Sequence, residues 1–427
     1  MPGESENLAL SFIPSVLQEQ YASDPDRLLG AALGSDHATL LWIDIFAFSK
    51  MCNRLMRDTA NDVELLAGIL QKHYDFILNT IRKHGGQPLF FAGDGLMSAW
   101  PGDKSSMDAT VARAASCAHE ILRDRVAVDD LGGLLSLHVI IATGPFSMSE
   151  FEGVGGKILF SFAGEVFDQL VRSSRNKAVD QVLISGEAMR HLDKTLSSTA
   201  VEHDTYILHD IPKLAETKDH VRTVLSPGAV TRLKSYVPGT LSFPLDREKL
   251  RWIAEIRPVT SVFVQMPNDS GDARANLARM KECVALVAPI VKRYNGHIIQ
   301  VWLDEKESNM FMCFGPPPTS HADNPERGTR LAMEMHELLE SSGHPNSIGV
   351  ATGRAFCGIL GNDILRQYTV IGDVVNLSAR LAGISRHTVR VDRATFATSN
   401  RTIEYGEPQM VSVKGIPEPI DVHKPLR

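Results

Sequence analysis

Two acids stand in surroundings that could make them chemical. Trp42–Phe48 reads WIDIFAF and ends an apolar run on Asp44, while Phe90–Trp100 reads FFAGDGLMSAW and sets Asp94 in a Gly-Asp-Gly turn. A lone aspartate at a strand end or tight turn is ordinarily a turn residue, because its short side chain bonds the local backbone. Two of them on neighbouring strands can share one or two divalent cations, since Mg²⁺ takes one or two carboxylates and leaves its other positions to water and substrate phosphates. Neither segment holds a histidine to serve as a base, so a metal site is the better reading than a general acid–base pair. A second pair lies far along the chain. Tyr368–Arg380, YTVIGDVVNLSAR, reads as strand, turn and helix, with Asn376 and Arg380 one helical turn apart on one face. Such polar residues are ordinarily just solvated. Their functional reading is an amide holding a ribose and a guanidinium holding a phosphate.

The elements that must carry these residues occur twice. Leu134–Gly144 (LLSLHVIIATG) is matched by Asn346–Gly353 (NSIGVATG), with Gly144 and Gly353 lying 209 positions apart. Phe162–Arg172 (FAGEVFDQLVR) is matched by Val370–Arg380 (VIGDVVNLSAR), with Gly164 and Gly372, Asp168 and Asn376, and Arg172 and Arg380 each 208 apart. An offset held that steadily marks an internal repeat. Upstream, the strand-type runs Leu40–Ile45 and Ser261–Met266 pair with each other. Each is followed by an apolar stripe at helical spacing: Val63, Leu66, Leu70, Tyr74, Ile77 and Ile81 in the first half, Leu277, Met280, Val284, Val287 and Val291 in the second. Glycine turns close both helices, and two-strand segments follow over 88–100 and 298–314. The pattern predicts an α+β fold with a mixed or antiparallel sheet in each half. It places an N-terminal extension at 1–37, a first domain at 38–210, a linker at 211–255 containing Pro212, Pro227, Pro238 and Pro244, and a second domain at 256–427.

The totals exclude several classes. A chain of 427 residues is too long for one core, and 43% apolar with 22% charged residues is ordinary globular composition. A net charge of −7 argues against a general nucleic-acid binder. Cys52, Cys117, Cys283, Cys313 and Cys357 are odd in number and form no C-x-x-C, which argues against a disulfide framework or a zinc site. The N-terminus lacks a basic, apolar secretory pattern, and no apolar run is long enough to span a bilayer; a cytoplasmic protein is expected.

Asp44 and Asp94 in these contexts, together with T-V-I-G-x-x-V-N-L-x-A-R at Thr369–Arg380, resemble the metal-binding and transition-state motifs of class III nucleotide cyclases. The tandem order, with IRPVTSVFV at Ile256–Val264 and FCGILG at Phe356–Gly361, is most similar to the bicarbonate-responsive soluble adenylyl cyclases. The resemblance covers about Leu40 to the C-terminus. It implies two ferredoxin-like cyclase domains paired head to tail about a pseudo-two-fold axis, active as an intramolecular pair and hence as a monomer. Two clefts follow, of which one is catalytic. The repeat is asymmetric in the matching way: Gln265 is the counterpart of Asp44, and Asp168 that of Asn376. One cleft collects Asp44, Asp94, Asn376 and Arg380; the other gets Gln265, Asp304, Asp168 and Arg172. The implied reaction turns ATP into cyclic AMP and pyrophosphate with two Mg²⁺ or Mn²⁺ ions on Asp44, Asp94 and the Ile45 carbonyl. Arg380 would stabilise phosphoryl charge, Asn376 would orient the ribose, and the amides near Ala47, Phe48 and Ser49 would meet the terminal phosphates.

Several positions depart from the family pattern. Gln300 stands at a base-reading position where adenylyl cyclases of this group carry lysine and guanylyl cyclases glutamate; its amide can both donate and accept. Thr369, the second base-reading position, fits the soluble adenylyl type. His138 falls at a phosphate-contacting lysine, Ala47 replaces a glycine of the phosphate turn, and Phe46 replaces a small residue beside it. Phe90 replaces a lysine that helps bind bicarbonate in the second cleft, and Arg172 lies near the position of the other anion-binding residue; a phenyl ring at position 90 predicts weak anion capture. The alternatives are a guanylyl cyclase, which differs only in the base pocket, and a cyclase-like module that binds nucleotide without turnover.

Overall fold

The computed structural model describes residues 4–27, 29, 36–46, 48, 60–125, 127–128, 133–212, 224–241, 253–268, 272–304, 306–318, 320–413 and 418–426. Two short helices, α1 (Glu4–Leu10) and α2 (Ser15–Ser23), precede the first repeat. That repeat runs β1 (His37–Ile45), α3 (Ala60–Lys83), β2 (Gln87–Ala92), β3 (Gly95–Gly102), α4 (Met107–Arg123), β4 (Leu137–Pro145), β5 (Ser147–Glu152), β6 (Ile158–Ala163), α5 (Glu165–Ser173), β7 (Val182–Ser185), β8 (Ser198–Val201) and β9 (Thr205–Leu208). Helix α6 (Pro227–Leu233) lies between the repeats. The second runs β10 (Glu255–Pro267), α7 (Ala273–Arg293), β11 (His297–Leu303), β12 (Glu307–Phe314), α8 (Asn324–Ser341), β13 (Ser347–Gly361), β14 (Arg366–Ile371), α9 (Asp373–Ser385), β15 (Val389–Asp392), α10 (Arg393–Ser399), β16 (Gln409–Val411) and β17 (Ile420–His423).

The sheets have the same strand order. The first reads β2-β3-β1-β4-β7-β9-β8, and the second β11-β12-β10-β13-β15-β17-β16, with β14 on the outer part of β13. In each, one parallel pair (β4 with β7, β13 with β15) sits among antiparallel ones. These are the two mixed α+β domains that the repeat predicts. The pleat sorts β1 cleanly. Leu41, Ile43 and Ile45 enter the core under α3 and α4, while Leu40 and Trp42 face the other way. The apolar stripe of α3 is buried as its spacing predicts, through Leu66, Leu70, Tyr74, Ile77 and Ile81.

Each domain sends a two-stranded ribbon into the other. Phe356, Leu360, Leu365 and Ile371 from the β13–β14 ribbon join the first-domain core, and Phe151 and Ala163 from β5–β6 join the second-domain core. At about 1.5–3 kcal/mol per fully buried large apolar side chain, this exchange makes the domains interdependent. It also makes the pair reciprocal, as a head-to-tail pseudo-dimer requires.

The N-terminal residues cross the seam. Leu8, Ala9 and Phe12 pack with Val259 and Phe263 of the second domain; Ile13, Val16 and Leu17 pack with Leu40 and Ile140 of the first. A buried ion pair then ties the segment to the first ribbon. Arg27 donates to both oxygens of Glu150 at 2.8 and 3.0 Å, Tyr236 donates to the same carboxylate at 2.5 Å, and Tyr21 bonds Tyr236 at 3.0 Å.

Candidate active site

The pleat places Asp44 on the same face of β1 as Trp42, away from α3 and α4. Opposite Asp44 on β4 is His138, whose neighbours Leu137 and Val139 point into the helix-side core, so it too projects to the Asp44 face. Asp94 reaches this face through the β2–β3 turn. Gly93 takes a left-handed conformation at φ 63°, and Gly95 lies so close to the Trp42 indole that a Cβ there would stand 2.1 Å from its ring. Helix α3 fixes the turn from behind, the Tyr74 hydroxyl donating to the Asp94 carbonyl. Sequence spacing shows Tyr74 only as one member of an apolar stripe; its anchoring role needs the fold.

The two carboxyls share a hydrogen bond. Burial raises Asp94 most and the adjacent Asp44 charge raises it further. Asp44 is raised by burial, against the lowering effects of its bond to Asp94 and of His138. Two anions at this spot repel in a poorly solvated turn, and a bound cation removes that penalty. The His138 Nε2 is buried without a hydrogen-bond partner among the described residues, and its ring lies 6.0 Å from that of Phe46. No three His, Cys, Asp or Glu side chains converge as metal ligands among the described residues, so the acids form a two-carboxylate site.

The other expected residues fall in three places. Asn376 and Arg380 lie one turn apart on α9 of the second domain, Asn376 exposed and Arg380 half-buried. Val374, Leu381 and Ala382 hold that helix on the sheet face where Val259 and Phe263 meet the N-terminal Leu8 and Phe12. Gln300 sits at a bulge in β11 and lines an interdomain cavity of about 620 Å³ with Trp42, Phe90, Phe162, Trp302 and Tyr368. Thr369, paired with Gly358, is buried on the opposite side of β14 from Tyr368. Phe48 is a buried core residue, Phe46 is exposed, and Ala47 and Ser49 lie outside the described residues.

The counterparts in the second cleft differ. Asp304 spends its carboxylate on its own hairpin, accepting from the backbone N–H of Lys306 and Glu307 at 3.0 and 2.9 Å and from the Asn309 amide at 3.0 Å. Gln265, the counterpart of Asp44, leaves its buried Oε1 without a partner among the described residues. Phe90 stacks on Phe162 at 5.9 Å, an aromatic wall where the family resemblance expects a cation. Arg172 does not line the cavity with Phe90. It borders a separate small recess with Glu165, Glu187, Arg190 and Asp204. The two residues expected to share one regulatory cleft therefore open onto different spaces.

No family model matches the chain. It is 25% identical over 397 residues to adenylate cyclase type 10 of Homo sapiens, covering 84% of this chain and 24% of that protein. The Rattus norvegicus protein of the same name is 25% identical over 424 residues, covering 91% of this chain and 26% of its own length. Adenylate cyclase 1 of Rhizobium meliloti (strain 1021) is 28% identical over 163 residues, 35% of this chain and 24% of that one. The chain thus spans about a quarter of the length of the curated relatives it matches. Among solved structures, a class III adenylyl cyclase-like ATP-binding protein from Pseudomonas aeruginosa superposes over 93% of both chains, with a TM-score of 0.57 and 15% identity. The chain is related in sequence to adenylate cyclases, and its fold is that of paired class III cyclase domains. Among the described residues no helix is long and apolar enough to cross a membrane.

Proposed function

We propose that this relative of adenylate cyclases converts ATP to 3′,5′-cyclic AMP and pyrophosphate between its two domains, as a single chain with one productive cleft. The observation that carries the reading is the Asp44–Asp94 pair, two half-buried carboxyls in contact and both raised by loss of solvent. The donor set fits Mg²⁺ or Mn²⁺, hard cations that take carboxylate oxygens and keep places for water and phosphate. Asp44 and Asp94, with the Ile45 carbonyl, would hold two such ions. When bound, the ions lower the pKa of the ribose 3′-hydroxyl and neutralise triphosphate charge.

The chain's own groups do the rest. Arg380 offers a guanidinium to the phosphoryl oxygens as charge develops, and Asn376 on the same helix face holds the ribose. The amide of Gln300, able to donate and accept at once, addresses the adenine edge from the interdomain cavity. His138 presents an uncommitted ring nitrogen beside Asp44, which suits it to a phosphate oxygen. The second cleft is unproductive, because Asp304 is committed to its turn and Gln265 supplies no charge.

Incubation of the purified chain with ATP or GTP and Mn²⁺ or Mg²⁺, with products read by mass spectrometry, tests the proposal. Cyclic AMP from the unmodified chain, and none from Asp44→Ala or Asp94→Ala, is the expected result. Cyclic GMP in its place would make the chain a guanylate cyclase. ATP bound without any cyclic product would make it a nucleotide-binding module.

A further inference from the structure

We propose that Gln367 is a positioning residue that couples base recognition on the second domain to metal binding on the first; the inference deepens the cyclase reading and rests on it. Strand β2 is an edge strand with β3 as its neighbour. Its outward backbone groups must find partners from outside the sheet. At Phe91 both partners come from one side chain of the other domain. The Gln367 carboxamide oxygen accepts from the Phe91 N–H at 2.9 Å, and its amide donates to the Phe91 carbonyl at 2.7 Å. The side chain does there what an adjoining strand would do.

Both ends of this clamp lead to the site. Phe91 precedes Asp94 by three residues in the metal-binding hairpin, and its ring packs edge-on against Tyr74 at 5.0 Å. Tyr74 in turn holds the Asp94 carbonyl. One turn earlier on α3, Gln71 donates to the Gly361 carbonyl at 3.0 Å, a second tie between this helix and the second domain's ribbon. On the other side, Gln367, Thr369 and Ile371 share the face of β14 that carries Ile371 into the first-domain core. Gln367 also lines the interdomain cavity with Gln300, so a base held there steadies Gln367, and Gln367 steadies the backbone that presents Asp94. Glutamine suits the post because it donates and accepts at once; glutamate loses the donor, and methionine, of similar shape, loses both functions.

The test measures Mn²⁺ binding to the full chain by electron paramagnetic resonance, with and without adenosine. Adenosine carries no phosphate to chelate the ion, so any tightening must pass through the protein. In the unmodified chain adenosine should tighten Mn²⁺ binding by about fivefold or more, and Mn²⁺ should tighten adenosine by the same factor. Gln367→Met should bring that factor to about one, and Gln367→Glu should keep part of it. Gln71→Met, which cuts the parallel tie, should lower the factor and serves as the second variant if Gln367→Met does not fold. An unmodified factor in either methionine variant that folds overturns the proposal, as does a factor of one in the unmodified chain. Failure of the unmodified chain to bind Mn²⁺ removes the metal-site reading itself, and the coupling with it.

Discussion

Without metal, the Asp44–Asp94 pair should make the fold less stable as pH rises. Asp94 is pushed up from 3.8 to about 8, by burial first and by the Asp44 charge second. A carboxyl whose folded pKa is raised stabilises the fold fully below its unfolded value, and that stabilisation disappears as pH climbs through the folded one. Each pH unit inside the window is worth about 1.4 kcal/mol, so full burial would give a fall of about 4 kcal/mol between about pH 5 and about pH 8. Asp94 keeps some solvent contact and shares its proton with Asp44, which reduces the expected loss to about 2 kcal/mol. For a domain of about 150–250 residues that is a drop of about 4–8 °C in Tm, and a smaller one where the two interdependent domains unfold together. The assay is scanning calorimetry in chelator-treated buffer across that range, on the unmodified chain and on Asp94→Asn. The asparagine variant should lose the slope and melt higher than the unmodified chain at about pH 8. Added Mn²⁺ should restore the lost stability at high pH in the unmodified chain and leave the variant unchanged, because the ion binds the ionised carboxylates. Equal slopes in the two proteins, or a flat profile in the unmodified one, would refute the reasoning.

Arg380→Ala should lower the initial rate of cyclic nucleotide formation by about a hundredfold, and Arg172→Ala far less, since one preorganised donor to developing charge is worth about that much; equal losses would mean the productive cleft is wrongly chosen. Gln300→Glu should move the ratio of ATP to GTP turnover toward GTP, because a carboxylate offers adenine N1 no donor and an unpaired buried polar group costs about 1–3 kcal/mol; an unchanged ratio removes Gln300 from base reading. Arg27→Ala strands Glu150, which is fully buried, and should destabilise the chain by about 3–5 kcal/mol in urea unfolding, whereas Arg27→Met combined with Glu150→Leu should cost much less. A single-variant loss below about 1 kcal/mol would show that the ion pair does not hold the ribbon.

What was legible in the sequence was local or repeated. Strand alternation assigns Asp44 to a face, helical spacing assigns Tyr74 and Leu70 to a buried stripe, and the 208-residue offset pairs Arg172 with Arg380. Such features are written by neighbouring residues with periods of about 2 and 3.6, so they survive without knowledge of the partner element. The tertiary structure alone decided the rest. It committed Asp304 to its own hairpin, turned Arg172 toward a recess apart from Phe90, and laid the N-terminal helices across both domains. It brought Gln367 to Phe91 across 276 positions of chain and closed Arg27 on Glu150 across 123. Those contacts have no local signature, because they exist only after two ribbons have crossed between two separately patterned cores. The residue types at either end are polar and ordinary until docking buries them, and burial is what obliges each to find its partner.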